Sequence, residues 1–228
     1  MSNLFPRWMN TLPTAGAVGT GGFLTLAVGA FWYWATPSFW EVGYMPTQPG
    51  SGFSHQIHAG KLGMDCRYCH TNVEKSAEAN IPSVSTCNGC HAEGQLRPGI
   101  DPGVKVAFVR EAFATDASIA WRRVHKLPDY VRNFPHDVHV AAGVSCFSCH
   151  GQIKGMPIVA QAQSLSMSWC LDCHRNPGPN LVPKDRVTDL QWVQEEWFGR
   201  GENIREAQRL RDLHGGLNPP ENCGACHY

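Results

Sequence analysis

The chain has 228 residues, room for one or two ordinary domains, and its 19 basic and 19 acidic residues cancel. That balance leaves no basic footprint for nucleic acid, and none is expected as a partner. With 23 glycines, 16 prolines and only short apolar runs beyond the N-terminus, the chain is poorly equipped to build a core from side chains alone.

Residues 1–13 form a short polar head whose one charge is Arg7. No charged residue follows until Glu41, and Ala15–Ala35 is an almost continuous run of small and apolar residues. That length predicts one membrane-spanning helix, placed at 14–36. Phe31, Trp32, Tyr33 and Trp34 at its end suit an interfacial aromatic belt, and a retained anchor is favoured over a signal peptide cleaved after Val28-Gly29-Ala30. Gly16, Gly19 and Gly22 place small residues at near-helical spacing, which suits close approach of another membrane helix. Residues 37–52, with Pro37, Pro46, Pro49 and Gly50, read as an extended stalk.

Beyond the stalk, Cys-x-x-Cys-His occurs five times: Cys66–Cys69–His70, Cys87–Cys90–His91, Cys146–Cys149–His150, Cys170–Cys173–His174 and Cys223–Cys226–His227. Together the copies use all ten cysteines. The motif is that of covalent haem c attachment: both thiols add to the haem vinyl groups and the histidine ligates iron. Zinc ribbons use Cys-x-x-Cys pairs two at a time, or one pair with two histidines, and need no histidine after each. A thioredoxin-type motif occurs once, on a βαβ background that is missing here. The expected fold class is a multihaem cytochrome c: a mostly irregular, short-helical chain wrapped around five haems c. Folding is then coupled to cofactor attachment.

An internal repeat organises these sites. Phe53-Ser-His-Gln-Ile-His58 and Phe134-Pro-His-Asp-Val-His139 each precede a Cys-x-x-Cys-His, and a second copy begins 17 to 20 residues after the first copy's histidine. The divisions are a first di-haem module at 53–100, a connector at 101–133, a second module at 134–183 and a C-terminal extension at 184–228 with the fifth site. A helix is expected at Val104–Phe113. One or two surface helices are expected within Arg186–Leu213, packing one face on a haem and ending at Gly215-Gly216.

Eleven histidines are present. His70, His91, His150, His174 and His227 are proximal by position, leaving His55, His58, His125, His136, His139 and His214. Six spare histidines close every iron, which argues for electron transfer over substrate chemistry. His214, in a polar, glycine-flanked stretch, is the weakest of them. Met156 and Met167 offer thioethers, which would raise the potential of a haem. Met156 is the better placed, because Met167 lies close to the Cys170 attachment. In small multihaem cytochromes, which this repeat resembles, the first histidine serves the following haem and the second crosses to another. By that likeness His55 caps the haem on His70, His136 caps that on His150, His58 and His139 cross, and His125 is the fifth distal ligand.

Val42-Gly-Tyr-Met-Pro-Thr-Gln-Pro49, Phe53–His70, Trp121–Val131, Phe134–Gly151 and Leu165–Arg175 give the chain a close resemblance to a known family. It resembles the pentahaem cytochrome c subunit of bacterial alternative complex III, a quinol:electron-acceptor oxidoreductase. The resemblance implies a relay subunit that is not itself an enzyme and has no catalytic residues, in a respiratory or photosynthetic chain. Implied partners are a polytopic quinol-binding membrane subunit, an iron–sulfur subunit related to molybdopterin enzymes, a monohaem cytochrome c, and a terminal oxidase or soluble carrier.

Haem c is attached outside the cytoplasm, and Arg7 agrees with an inside N-terminus. The expected placement is single-pass in the inner (plasma) membrane, with the haem domain on the periplasmic face. Two other readings compete. A self-contained membrane quinol dehydrogenase feeding a periplasmic reductase would want an open haem beside the membrane, which His55 and the stalk speak against. A multihaem nitrite reductase commonly carries Cys-x-x-Cys-Lys, which does not occur here.

Overall fold

In the computed structural model the described residues are 6–35, 42–97, 99, 103–127, 130–131, 134–216 and 218–227. The chain divides into two units, Met1–Trp40 and Glu41–Tyr228.

In the first unit a 3₁₀ turn, Arg7–Thr11, leads into α1, Leu12–Ala35. Pro13 falls in the first turn, where a missing N–H is harmless, and this lets the helix begin ahead of the expected boundary. Its 24 residues rise about 36 Å, against about 30 Å of bilayer hydrocarbon. The helix is long and apolar enough, by length and composition, to cross a membrane. Thr25 donates its hydroxyl to the carbonyl of Gly21 (2.9 Å), so the polar group is satisfied within the helix.

The second unit is built from short helices. A π-helical turn at Gln56–Lys61 precedes α2, Cys66–Cys69, and α3, Val84–His91. A 3₁₀ turn at Gly103–Val106 opens α4, Ala107–Ala114, so the expected helix is present and shifted by its glycine start. The second half holds α5, His136–Ala141; α6, Cys146–His150; and α7, Met167–Arg175. Next comes α8, Leu190–Trp192, running on as a π-helical turn Val193–Phe198, and then α9, Glu202–Leu213. One isolated bridge, Val144 with Leu181, is the β pairing among the described residues.

A side-chain core does form, and it lies behind α6. Leu181, Val182, Val187, Val193, Trp197 and Leu210 are buried together, with Val140, Val144, Cys146 and Phe147 packed on them. Trp197 donates its indole N–H to the carbonyl of Leu181 at 2.9 Å, so its one polar atom is satisfied inside. One face of the segment 186–213 thus packs on protein. Its apolar residues are the partners that 181–187 need. Gly178 seats α9 closely: a Cβ there would stand 3.1 Å from the Ala207 side chain.

Residues 42–52 of the expected stalk are hydrogen-bonded to the second unit's other segments. The Gly43 N–H donates to the carbonyl of Gln161 (2.8 Å), and Gln161 N–H returns a bond to Tyr44 (3.0 Å). Gln48 pairs reciprocally with the backbone of Arg122, both bonds at 2.9 Å. Ser51 donates to the Lys105 carbonyl at 2.6 Å. The buried Gln161 side chain also accepts from Lys126 N–H and donates to the Gln163 carbonyl. Extended, proline-rich backbone has free donors and acceptors, and here the domain surface satisfies them. Pro37 lies outside the described residues.

Candidate functional site

Each attachment motif lies on a short helix or turn, and three of the five stand behind a side-chain cap. Asp65 accepts the N–H of Arg67 (2.9 Å), Ser145 that of Phe147 (3.2 Å) and Ser166 that of Trp169 (3.3 Å). Within the turn, His70 N–H donates to the Cys66 carbonyl and His227 N–H to the Cys223 carbonyl, each at 2.9 Å. A helical turn sets residues i, i+3 and i+4 on one face, so both thiols and the histidine point the same way. All ten cysteines are free thiols.

Three pairs of histidine rings face one another at nearly constant spacing. Ring centroids are 5.9 Å apart for His58 and His91, 6.5 Å for His136 and His150, and 6.3 Å for His139 and His174. Two imidazoles on opposite sides of one metal, each nitrogen about 2 Å from it, carry centroids about 6 Å apart. In both copies of the repeat the phenylalanine organises the pair. Phe53 stacks on His58 (4.4 Å, 20°) and meets His55 edge-on (4.8 Å, 82°). Phe134 does the same to His139 (4.6 Å, 25°) and His136 (5.1 Å, 90°).

Backbone carbonyls fix the ring orientations. Nδ1–H of His70 points at Asn80 (2.6 Å), of His174 at Pro220 (2.6 Å) and of His227 at Tyr130 (2.9 Å). Likewise His58 points at Ser54 (2.9 Å), His136 at Ala77 (2.7 Å) and His139 at Pro135 (2.7 Å). A proton held on Nδ1 leaves the Nε2 lone pair for a metal. Sequence reasoning missed these acceptors because any residue offers a carbonyl. One carried a signal: Asn80 adopts φ 62°, a left-handed conformation that Asn tolerates.

Burial keeps the rings neutral, the form a metal needs. It pushes His55 and His125 down to about 4, His55 also feeling His70 and His58. His150 falls to about 3 from burial first and then from His125, His136, His70 and His55. His139 is lowered too, again chiefly by burial.

The attachment sites follow one another in space. The Cys69 thiol is pushed up by burial and then by Cys87, and the neighbouring Cys66 and Cys146 thiols shift one another, Cys66 down and Cys146 up. Burial raises Cys149 to about 12, with Cys173 and Cys170 adding to it, and Cys170 is raised by burial and then by Cys226. The succession is Cys87, Cys66, Cys146, Cys170, Cys226, so the first two sites of the chain are exchanged in order.

The remaining candidates lie elsewhere. His125 touches His150, with centroids 4.2 Å apart. His214 lies against Gly143, where a Cβ would come within 3.1 Å of its ring, and both its nitrogens are buried without a hydrogen bond. The Met156 methyl sits 3.8 Å from where a Cβ on Gly151 would be, beside the His150 site. Met167 is exposed on α7, one turn before Cys170.

The donor set fits covalent haem c. The thiols are unpaired, each Cys-x-x-Cys runs into a histidine on a helical turn, and six histidines meet as three pairs. Among the described residues no three His, Cys, Asp or Glu side chains converge as a bare metal ion would require. Residues 132–228 match the family described as cytochrome c7 and related cytochrome c. The chain is also 33% identical over 129 residues to a protein of Nitratidesulfovibrio vulgaris (strain Hildenborough) named menaquinone reductase, multiheme cytochrome c subunit. That match covers 56% of this chain and 57% of the relative, so the chain spans little more than half of that protein's length. Over residues 132–228 the chain is thus similar to cytochrome c7 and related cytochromes c, and over 129 residues to that multiheme subunit, in keeping with its Cys-x-x-Cys-His turns and paired imidazoles.

Proposed function

We propose that this chain binds five haems c and serves as the pentahaem electron-relay subunit of an alternative complex III. Its partners there would be the polytopic quinol-oxidising subunit, the iron–sulfur subunit, and a monohaem cytochrome c, terminal oxidase or soluble carrier. The observation that carries the reading is the three histidine pairs with ring centroids 5.9, 6.5 and 6.3 Å apart beside Cys-x-x-Cys-His turns. Bound haem c supplies a reversible one-electron Fe(III)/Fe(II) couple. The protein's part is to hold neighbouring sites side by side, orient the imidazoles and keep water from them. The chain makes and breaks no substrate bond.

The facing rings support these distal roles within this proposal. His58 serves the site of His91, His136 that of His150 and His139 that of His174. By the repeat, His55 serves His70, the first charge that its ring feels. For the His227 site we assign Met167. It shares a helix face with Cys170, whose thiol interacts with Cys226. This reverses the sequence-based preference for Met156, which the fold places beside Gly151. The N-terminal helix would anchor the chain in the inner membrane, with the haem domain on the periplasmic face.

A second reading is favoured by the name of the relative: a relay of the opposite sense, delivering electrons to menaquinone. Purification from native membranes in mild detergent, with haem-stained gels and mass spectrometry of co-migrating chains, tests both. Co-purification with a polytopic quinol subunit and an iron–sulfur subunit, with quinol:cytochrome c activity, is the expected result. A complex that only reduces menaquinone supports the second reading. A lone cytochrome oxidising quinol by itself would overturn both.

A further inference from the structure

Six candidate ligands give their Nδ1–H to a backbone carbonyl: His58, His70, His136, His139, His174 and His227. His150 breaks the pattern. Its Nδ1 lies 3.3 Å from Nδ1 of His125, and the two rings meet edge to face at 4.2 Å and 72°. That separation is too short for an iron between them, which needs about 6 Å. His136 already faces His150 at 6.5 Å.

Proton counting decides what the contact is. A neutral imidazole that ligates iron through Nε2 carries its proton on Nδ1. If His125 and His150 were both such ligands, two N–H groups would point at each other across 3.3 Å. One proton must be absent, so one ring of the pair is an acceptor at Nδ1. His150 follows the Cys146–Cys149 pair and is the ligand. His125 is then the acceptor, with its own proton on Nε2.

We propose that His125 is the hydrogen-bond acceptor for Nδ1–H of His150, a positioning residue that sets the potential of the haem attached through Cys146 and Cys149. The proposal rests on the multihaem reading above and replaces the expectation that His125 is an axial ligand. An imidazole nitrogen is a stronger acceptor than the carbonyls serving the other sites. It draws the His150 proton away, makes that ring a stronger electron donor, and lowers the potential of its haem relative to a carbonyl-bonded one. Lys126, the next residue, is held over the Tyr44 ring at 4.1 Å and its N–H is bonded to Gln161, so the backbone carrying His125 is pinned.

The test uses the full-length, haem-loaded protein. His125→Phe removes the acceptor and keeps the volume; His125→Gln restores an acceptor oxygen. Spectroelectrochemical titration of the Phe variant is expected to move one midpoint upward and leave the others in place. Electron paramagnetic resonance is expected to show only low-spin haem, and the Gln variant a smaller displacement of the same midpoint. Unchanged midpoints, or a new high-spin ferric signal in either variant, would overturn the proposal; the second outcome would make His125 an axial ligand. If the Phe variant fails to accumulate, the Gln variant decides on the same two readouts. Mass spectrometry of the wild-type protein separates the two levels of inference. A Cys146–Cys149 site without haem sinks the multihaem reading itself, whereas a loaded site indifferent to residue 125 sinks only this proposal.

Discussion

At the scale of single residues, the chain spends its polar groups on orientation. Asp65 caps α2, takes two bonds from the Arg67 guanidinium (2.8 and 3.1 Å) and accepts the Thr188 hydroxyl at 2.9 Å. The hydrogen bond from the Arg67 side chain, the largest cause, holds its carboxyl down at about 2, below the ordinary 3.8. A depressed carboxylate stabilises the fold above its unfolded value, and the contribution drains away as pH falls from about 4 through about 2. Asp65 is well exposed, so solvent screening limits this to about 0.5 kcal/mol. Asp65→Asn should lower stability slightly at pH 7 and flatten the acid limb of a urea-midpoint-versus-pH curve between those values. An unchanged acid limb would mean that the pair with Arg67 is not maintained in solution. Met167 is the other residue whose assignment is sharp enough to fail. Met167→Ala should turn one haem high-spin and abolish the sulfur-to-iron charge-transfer band, and Met167→His should restore low spin at a lower potential. A variant with unaltered spectra would remove Met167 from the ligand set.

Among the elements, the segment after residue 180 behaves unlike the rest. Most of the second unit is short turns organised around cysteines and histidines, while 181–213 builds a small conventional core on the back of α6. Trp197 is central to it, 5% exposed, stacked on Trp192 at 5.2 Å and bonded to Leu181. Trp197→Ala should cost about 3–5 kcal/mol. The loss should fall on the docking of α9 and on the Cys146 turn, read as faster limited proteolysis between residues 181 and 213. A proteolysis pattern identical to wild type would show that the attachment turns hold this segment without its core.

For the whole molecule, the two units carry different tasks. The 24-residue helix α1 has the length and composition of an anchor, and the second unit makes its internal contacts within itself. Deleting residues 1–40 should move the protein from the membrane fraction to the soluble fraction with its haem-to-protein ratio unchanged. Haem loss on deletion would show that the anchor is needed for maturation, and persistent membrane association would locate a second attachment surface on the haem unit.

The sequence by itself determined what is local: the five Cys-x-x-Cys-His motifs, the apolar helix, and the doubled Phe-x-His-x-x-His. Each is set by spacing within one or two turns of chain. Tertiary structure alone decided what depends on distant segments meeting. His136 finds its acceptor at Ala77, 59 residues away, His174 finds one at Pro220, 46 away, and His227 one at Tyr130, 97 away. Backbone carbonyls have no identity in sequence, so these partners were not legible there. The same holds for residues 42–52, an extended stretch whose hydrogen bonds to Arg122 and Gln161 join it to distant segments. It holds again for His125, whose ring chemistry is common to every histidine. Only a neighbour at 3.3 Å, on the Nδ1 side of another ring, separates an acceptor from a ligand.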